Sequence, residues 1–162
     1  MLYTRMDSPV GELLIVSDGR CLTGLYIQCQ PEPSWQQGDL PLFDTVKSWL
    51  TGYFAGKRPD VSNLPLKLTG TPFQKAVWVY LLTIPYGQTC TYGDIAREMA
   101  TLMGRKNMSA QAAGQAVGRN PISIIVPCHR VVGAGGKMTG YAWGIEKKEW
   151  LLAHEAGTRE EN

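Results

Sequence analysis

TYGDIAREMATLMGRKNMSAQAAGQAVGRN, residues 91–120, holds two helix starts separated by one short basic loop. Thr91 followed three residues later by Asp94 suits a capped start, and the spacing predicts a helix to Met103 with Ile95, Met99 and Leu102 turned inward. The loop GRKNM follows, and Ser109 caps a second helix, SAQAAGQAVGRN, built from small residues on all sides. Two helices with a short connection, the later one small-sided, fit a helix-turn-helix, because a helix entering a DNA groove has little room for bulk. An αα-hairpin packed through alanines fits the same residues equally well.

Upstream, Thr71 with Pro72 and Gln74 forms a capping-box start, and Phe73, Val77, Leu81 and Ile84 mark a buried stripe that Pro85 ends before a Tyr86-Gly87-Gln88 turn. The preceding DVSNLPLKLTG lacks a helical period and is the candidate linker between residues 1–65, expected to be one domain, and residues 70–157, expected to be another. In the first part, LYTRM, ELLIVSD and CLTGLYIQ alternate with turn formers and predict antiparallel strands. QPEPSWQQGDLP is expected to be a loop, and from Pro41 the residues Leu42, Val46, Trp49, Leu50, Tyr53 and Phe54 recur at helical spacing until Gly56 and Pro59. Downstream lie ISIIVPCHRVVG (122–133), a Gly-rich GAGGKMTGYAWG, and a final helix IEKKEWLLAHEAG ended by Gly157.

The chain of 162 residues carries a formal charge of only +2, but that charge is uneven. Residues 1–69 hold six Lys/Arg against seven Asp/Glu, whereas residues 70–155 hold nine against five, which permits a polyanionic partner for the second part without demanding one. The opening residues lack a continuous apolar export core, and no window reaches the length of apolar residues that a membrane span needs, so no export, no membrane partner and a cytoplasmic location are expected. The four cysteines, at 21, 29, 90 and 128, are widely spaced, which argues for reduced thiols.

Cys128 and His129 stand side by side in a segment that otherwise reads as core. A thiolate is the reactive form of cysteine, so a reactive Cys128 needs a nearby base or cation, and an imidazole serves if a third group orients it. Adjacent residues on an extended strand face opposite ways, so the pair communicates only if Pro127 bends the chain or a water bridges them. Glu155 is an acid available to orient His129 if the last helix packs back. A buried structural cysteine beside a satisfied histidine is the competing reading. Zinc is disfavoured, since His154 is the only other histidine and no ligand-like pairs accompany it; no metal site is expected. Cys21 and Cys29 lack ligand partners and are not expected to hold a metal, while Cys90, and Trp35, Trp49, Trp78 and Trp150, are read as packing residues.

The string IVPCHRVVG, preceded by GRNP and followed by GYAWG and KEWLLAHE, closely resembles the O6-alkylguanine-DNA alkyltransferases, also called methylated-DNA–protein-cysteine methyltransferases. The resemblance runs from TPFQKAVW to LLAHEAG, with a first part compatible with the family's α/β domain. It implies an α+β chain: a small RNase H-like α/β domain followed by a mainly helical winged-helix or helix-turn-helix domain. It implies a single-turnover enzyme that needs no cofactor, acts as a monomer on double-stranded DNA containing O6-alkylguanine, with O4-alkylthymine a second candidate, and flips the damaged nucleotide out. By resemblance, Cys128 is the alkyl acceptor, His129 its base through a water, Glu155 the carboxylate orienting that base, Tyr92 the nucleotide-contacting proton donor and Asn120 the hinge. Val131, Tyr141, Ala142 and Trp143 resemble the pocket lining, while Gln111, Ala112, Ala113, Gly114, Ala116 and Arg119 resemble the DNA-binding set, with the helix in the minor groove.

Two departures from the family pattern stand out. Gln111 occupies the place of a commonly intercalating arginine, which implies weaker DNA binding or slower flipping. Ala142 replaces a serine of some relatives and Trp143 is bulky, which implies a narrower pocket mouth. The alternatives are an alkyltransferase-like protein that only grips alkylated DNA, against which Cys128 speaks, and a methylation sensor without efficient transfer.

Overall fold

A computed structural model describes residues 1–157. The chain forms two compact units: residues 1–69 with 121–123, and residues 70–120 with the chain from Ile124 onward.

In the first unit, strands β1 (Leu2–Met6), β2 (Leu13–Ser17) and β3 (Leu22–Ile27) form an antiparallel meander, with Thr4 opposite Ile15 and Ile15 opposite Leu25. All five residues of β2 are buried, as expected of a central strand. The QPEPSWQQGDLP stretch is not all loop: β4 (Gln36–Gln37) pairs parallel to β1, a two-residue ladder too short to leave a periodic signal. The order is β3-β2-β1-β4. Neither does the expected linker hang free. Leu22 N–H donates to Pro65 O at 2.8 Å and Lys67 N–H to Leu22 O at 2.9 Å, while Leu25 is clasped in the same way by Pro121 and Ser123. These two segments cover the edge of β3, with each proline accepting where it has no N–H to donate. Helix α1 (Pro41–Phe54) buries Phe43, Val46, Leu50 and Tyr53; of the stripe its spacing predicts, Leu42, Trp49 and Phe54 are only half-buried, and Phe43 is added.

In the second unit, α2 (Pro72–Leu81) starts on a complete Thr71/Gln74 capping box, α3 (Tyr92–Leu102) on a Thr91/Asp94 box, and α4 (Ala110–Gly118) on the Ser109 hydroxyl. A two-residue parallel ladder joins β5 (Cys90–Thr91) to β6 (Val131–Val132), and α5 (Ile145–Ala156) ends on left-handed Gly157. Helices α3 and α4 pack as a pair, and Ile95, Ala96, Met99, Ala113, Ala116 and Val117 are buried. Leu102 departs from expectation: it is 67% exposed. The buried stripe of α3 is centred between Ile95 and Ala100, and Leu102 lies about 90° from that centre in the last turn. Trp78 is buried, and its indole N–H donates to the Ala116 carbonyl at 2.8 Å, tying α2 to α4.

Candidate active site

The apolar segment before Cys128 is buried throughout but is not a strand. Ile124 adopts φ 70°, a left-handed conformation that costs a β-branched residue about 1–3 kcal/mol. Pro127, at φ −83° and ψ 64°, is the centre of an inverse γ-turn that the Cys128 N–H closes onto Val126 O at 2.8 Å. A single 3-10 turn, Cys128–Arg130, follows. Pro127 therefore does bend the chain, and the three side chains fan out around a tight turn instead of alternating across a sheet. The Asn120 side-chain amide donates to Val126 O at 2.8 Å, pinning the end of α4 to this bend.

Glu155 comes back on α5 as the sequence suggests, and its side chain is fully buried. His129 Nε2 lies 2.6 Å from Glu155 Oε2. Arg130, which sequence reasoning passed over, donates from Nε to Oε1 at 2.7 Å and from Nη2 to Oε2 at 3.1 Å. Its Nη1 donates to Ile84 O at 2.7 Å, and the Gly87 N–H donates to Glu155 Oε1 at 3.2 Å. Burial pushes the Glu155 carboxyl up, but hydrogen bonds and charge from His129 and Arg130 outweigh it and hold the group well below the usual carboxylate range. Burial also lowers His129, against the pull of Glu155. The pair is therefore a neutral imidazole donating from Nε2 to a carboxylate. That tautomer leaves Nδ1 with its lone pair, and this buried atom has no hydrogen-bond partner among the described residues.

Cys128 is 8% exposed, and burial raises its thiol above the ordinary value; Asn120, the Lys148 ammonium and Tyr141 act in the opposite sense. Lys148 was also overlooked: its side chain is almost wholly buried, Nζ lies 3.4 Å from Gly140 O and 5.8 Å from the centre of the Tyr92 ring, and burial lowers its own pKa. A lysine inside the charged run Glu146-Lys147-Lys148-Glu149 gives no sequence signal of its burial. Tyr92 opens α3, with its hydroxyl 3.1 Å from Thr139 Oγ1. Val131 is buried in β6, Tyr141 and Trp143 are half-buried, and Ala142 is exposed.

The expected DNA-binding set divides. Gln111 and Arg119 are exposed and Ala112 and Gly114 half-exposed, but Ala113 is fully buried and Ala116 is 3% exposed. Ala113 is thus a core residue of the helix packing, whereas Ala116, though buried and carrying the carbonyl that Trp78 binds, still lines a groove beside the outer face. When every face of a helix is small, periodicity does not tell inner from outer. The outer face instead runs through Ala110, Gln111, Gly114, Gln115 and Gly118. Beside it, Thr71, Phe73 and Gln74 together with Ala112, Gln115, Ala116, Gly118 and Arg119 line an open groove of about 620 Å³. Trp49 stacks on Tyr53, Trp35 on Tyr26 and Trp150 on His154, in keeping with packing roles.

A strand-rich α/β unit joined to a helix-pair unit that carries a buried cysteine, a histidine and a clamped carboxylate defines an α+β protein. The chain belongs to the 6-O-methylguanine DNA methyltransferase family: residues 1–68 match its ribonuclease-like domain and residues 72–157 its DNA binding domain. It is 43% identical over 159 residues to a Haemophilus influenzae methylated-DNA–protein-cysteine methyltransferase, covering 96% of this chain and 86% of that protein. It is 45% identical over 157 residues to the Mycobacterium tuberculosis protein of the same name, covering 94% and 91%. The crystal structure of Mycobacterium tuberculosis OGT in complex with DNA superimposes with a TM-score of 0.86, at 43% identity, over 98% of this chain and 94% of that one. Among the described residues no helix is long and apolar enough to cross a membrane.

Proposed function

We propose that this chain is a methylated-DNA–protein-cysteine methyltransferase that repairs O6-alkylguanine in double-stranded DNA by moving the alkyl group onto Cys128. The observation that carries the reading is the buried Cys128 beside a histidine whose Nε2 is committed to Glu155 and whose Nδ1 is free to accept a proton. His129 Nδ1 takes the thiol proton through a water, and the thiolate attacks the alkyl carbon in line. The S–C bond forms, the C–O6 bond breaks, and the phenol of Tyr92 donates its proton to the departing guanine. The product is a thioether, which offers no ready leaving group, so each molecule reacts once.

Asn120 holds the bend before Cys128, and Val131, Tyr141, Ala142 and Trp143 line the pocket for a base rotated out of the duplex. Gln111, Ala112, Gly114 and Arg119 meet the DNA, with small residues letting the α4 backbone approach the minor groove. Residues 70–157 supply all of these groups from one chain, which supports action as a monomer; residues 1–65 contribute none of them. We place the reaction in the cytoplasm, with no cofactor.

The test is intact-mass measurement after mixing the protein with a duplex carrying one O6-methylguanine. A gain of about 14 Da on Cys128, absent in Cys128→Ser, is expected for one methyl replacing one hydrogen. Tight lesion binding with no mass change would instead place the chain with the alkyltransferase-like binders.

A further inference from the structure

The Tyr92 phenol is held more closely than a residue that merely touches a nucleotide requires. Its ring lies along Gly114 of α4, where an added Cβ would stand 3.5 Å from Cδ1, and the Lys148 ammonium sits 5.8 Å from the ring centre. Its oxygen accepts from the Thr139 hydroxyl at 3.1 Å. Thr139 has little freedom. A Cβ on Gly133 would come within 2.9 Å of Thr139 Cγ2, so the threonine methyl fills the space that this glycine leaves, and Gly133 N–H closes the turn onto Lys137 O at 2.7 Å. With its methyl lodged there, a β-branched side chain has one χ1 available, and the hydroxyl is committed to Tyr92.

A phenol carries one proton to donate and lone pairs to accept with. Once Thr139 occupies an acceptor site on the oxygen, the phenol proton is directed away from Thr139 and left to donate elsewhere. We propose that Thr139 is a positioning residue for alkyl transfer: it orients the Tyr92 hydroxyl as proton donor to the guanine leaving group and steadies the phenolate that results. The inference rests on the proposed role of Tyr92. As the C–O6 electron pair passes into the guanine, the base takes the phenol proton. The phenolate keeps the Thr139 hydrogen bond, which strengthens when its acceptor becomes charged, and regains a proton from water. Such a bond lowers the barrier because it is stronger after proton transfer than before.

The experiment compares wild type, Thr139→Val, Thr139→Ser, Tyr92→Phe and the Thr139→Val/Tyr92→Phe double variant, all as the full chain. Two reactions are followed: single-turnover methyl transfer from an O6-methylguanine duplex, and Cys128 alkylation by iodoacetamide, whose iodide departs without a proton. Thr139→Val is expected to slow methyl transfer about three- to tenfold, the worth of one hydrogen bond, and Thr139→Ser to stay within about twofold of wild type. Thr139→Val should add nothing in the Tyr92→Phe background and leave the iodoacetamide rate unchanged. The same loss in both backgrounds would overturn the proposal by separating Thr139 from Tyr92, and an equal loss in the iodoacetamide reaction would overturn it by showing a general disturbance of the site. The parent reading fails visibly elsewhere: wild type would transfer no methyl group, or Tyr92→Phe would transfer at the wild-type rate, and either result removes this proposal with it.

Discussion

Glu155→Gln keeps the shape of the side chain and exchanges one acceptor oxygen for an amide donor. In the native site four N–H groups or ring nitrogens converge on the carboxylate: Oε1 meets Arg130 Nε and the Gly87 N–H, and Oε2 meets His129 Nε2 and Arg130 Nη2. With the amide nitrogen at the Oε1 position, it opposes two donors that cannot become acceptors. At the Oε2 position it opposes only Arg130 Nη2, provided His129 moves its proton to Nδ1 so that Nε2 accepts. The variant therefore selects the second arrangement, and in it Nδ1 no longer takes the Cys128 proton. A carboxylate-to-amide change that imposes the wrong tautomer on a catalytic histidine costs up to about 10⁴ in rate in a serine protease, and a loss of about 10²–10⁴ in methyl transfer is expected here. The guanidinium of Arg130 also loses its buried counter-charge, a change worth about 3–5 kcal/mol of stability. Both are read on one preparation, by single-turnover transfer from an O6-methylguanine duplex and by urea unfolding. Transfer within about threefold of wild type, a difference of less than about 1 kcal/mol in barrier, would refute the tautomer argument even if stability fell.

Three further outcomes are expected. Stability should fall as the pH drops below the unfolded histidine pKa, because His129 is held neutral by burial and the unfolded chain binds the proton first; it should fall again below the unfolded carboxylate range, where Glu155 is protonated only after unfolding. This is checked by urea midpoints across pH, and a flat profile between pH about 7 and 4 would contradict it. At alkaline pH the sign reverses. The Cys128 thiol is raised by burial, so its contribution is present below the unfolded thiol pKa and lost above it; Cys128→Ser should flatten that limb in part, since Cys90, pushed up to about 11 by burial, loses stability there too. Gln111→Arg, exposed on the outer face of α4, should tighten duplex binding and steepen its salt dependence by about one phosphate contact, measured by fluorescence anisotropy at several salt concentrations.

What the sequence by itself determined here is local. The caps at Thr71, Thr91 and Ser109 and the stop at Gly157 each involve residues within one helical turn, so the starts of α2, α3 and α4 and the end of α5 were legible as spacing. The three long strands were legible as well, because short apolar and β-branched runs between turn formers need no distant partner to be recognised. The pairing of Cys128 with His129, together with the flanking motifs, pointed to the chemistry. Tertiary structure alone decided the rest. Periodicity left Ala113 and Ala116 undistinguished from the outer residues of α4, since an all-small helix offers no contrast between faces, and only packing against α2 and α3 turned them inward. Arg130 and Lys148 were passed over in the sequence, yet they are buried because a carboxylate 25 residues away and a carbonyl of the Gly-rich segment receive them. Charge burial is governed by the groups that receive the charge in the folded chain, and which carbonyl or carboxylate meets it is decided by how the turns and helices pack, not by the residues beside it in sequence.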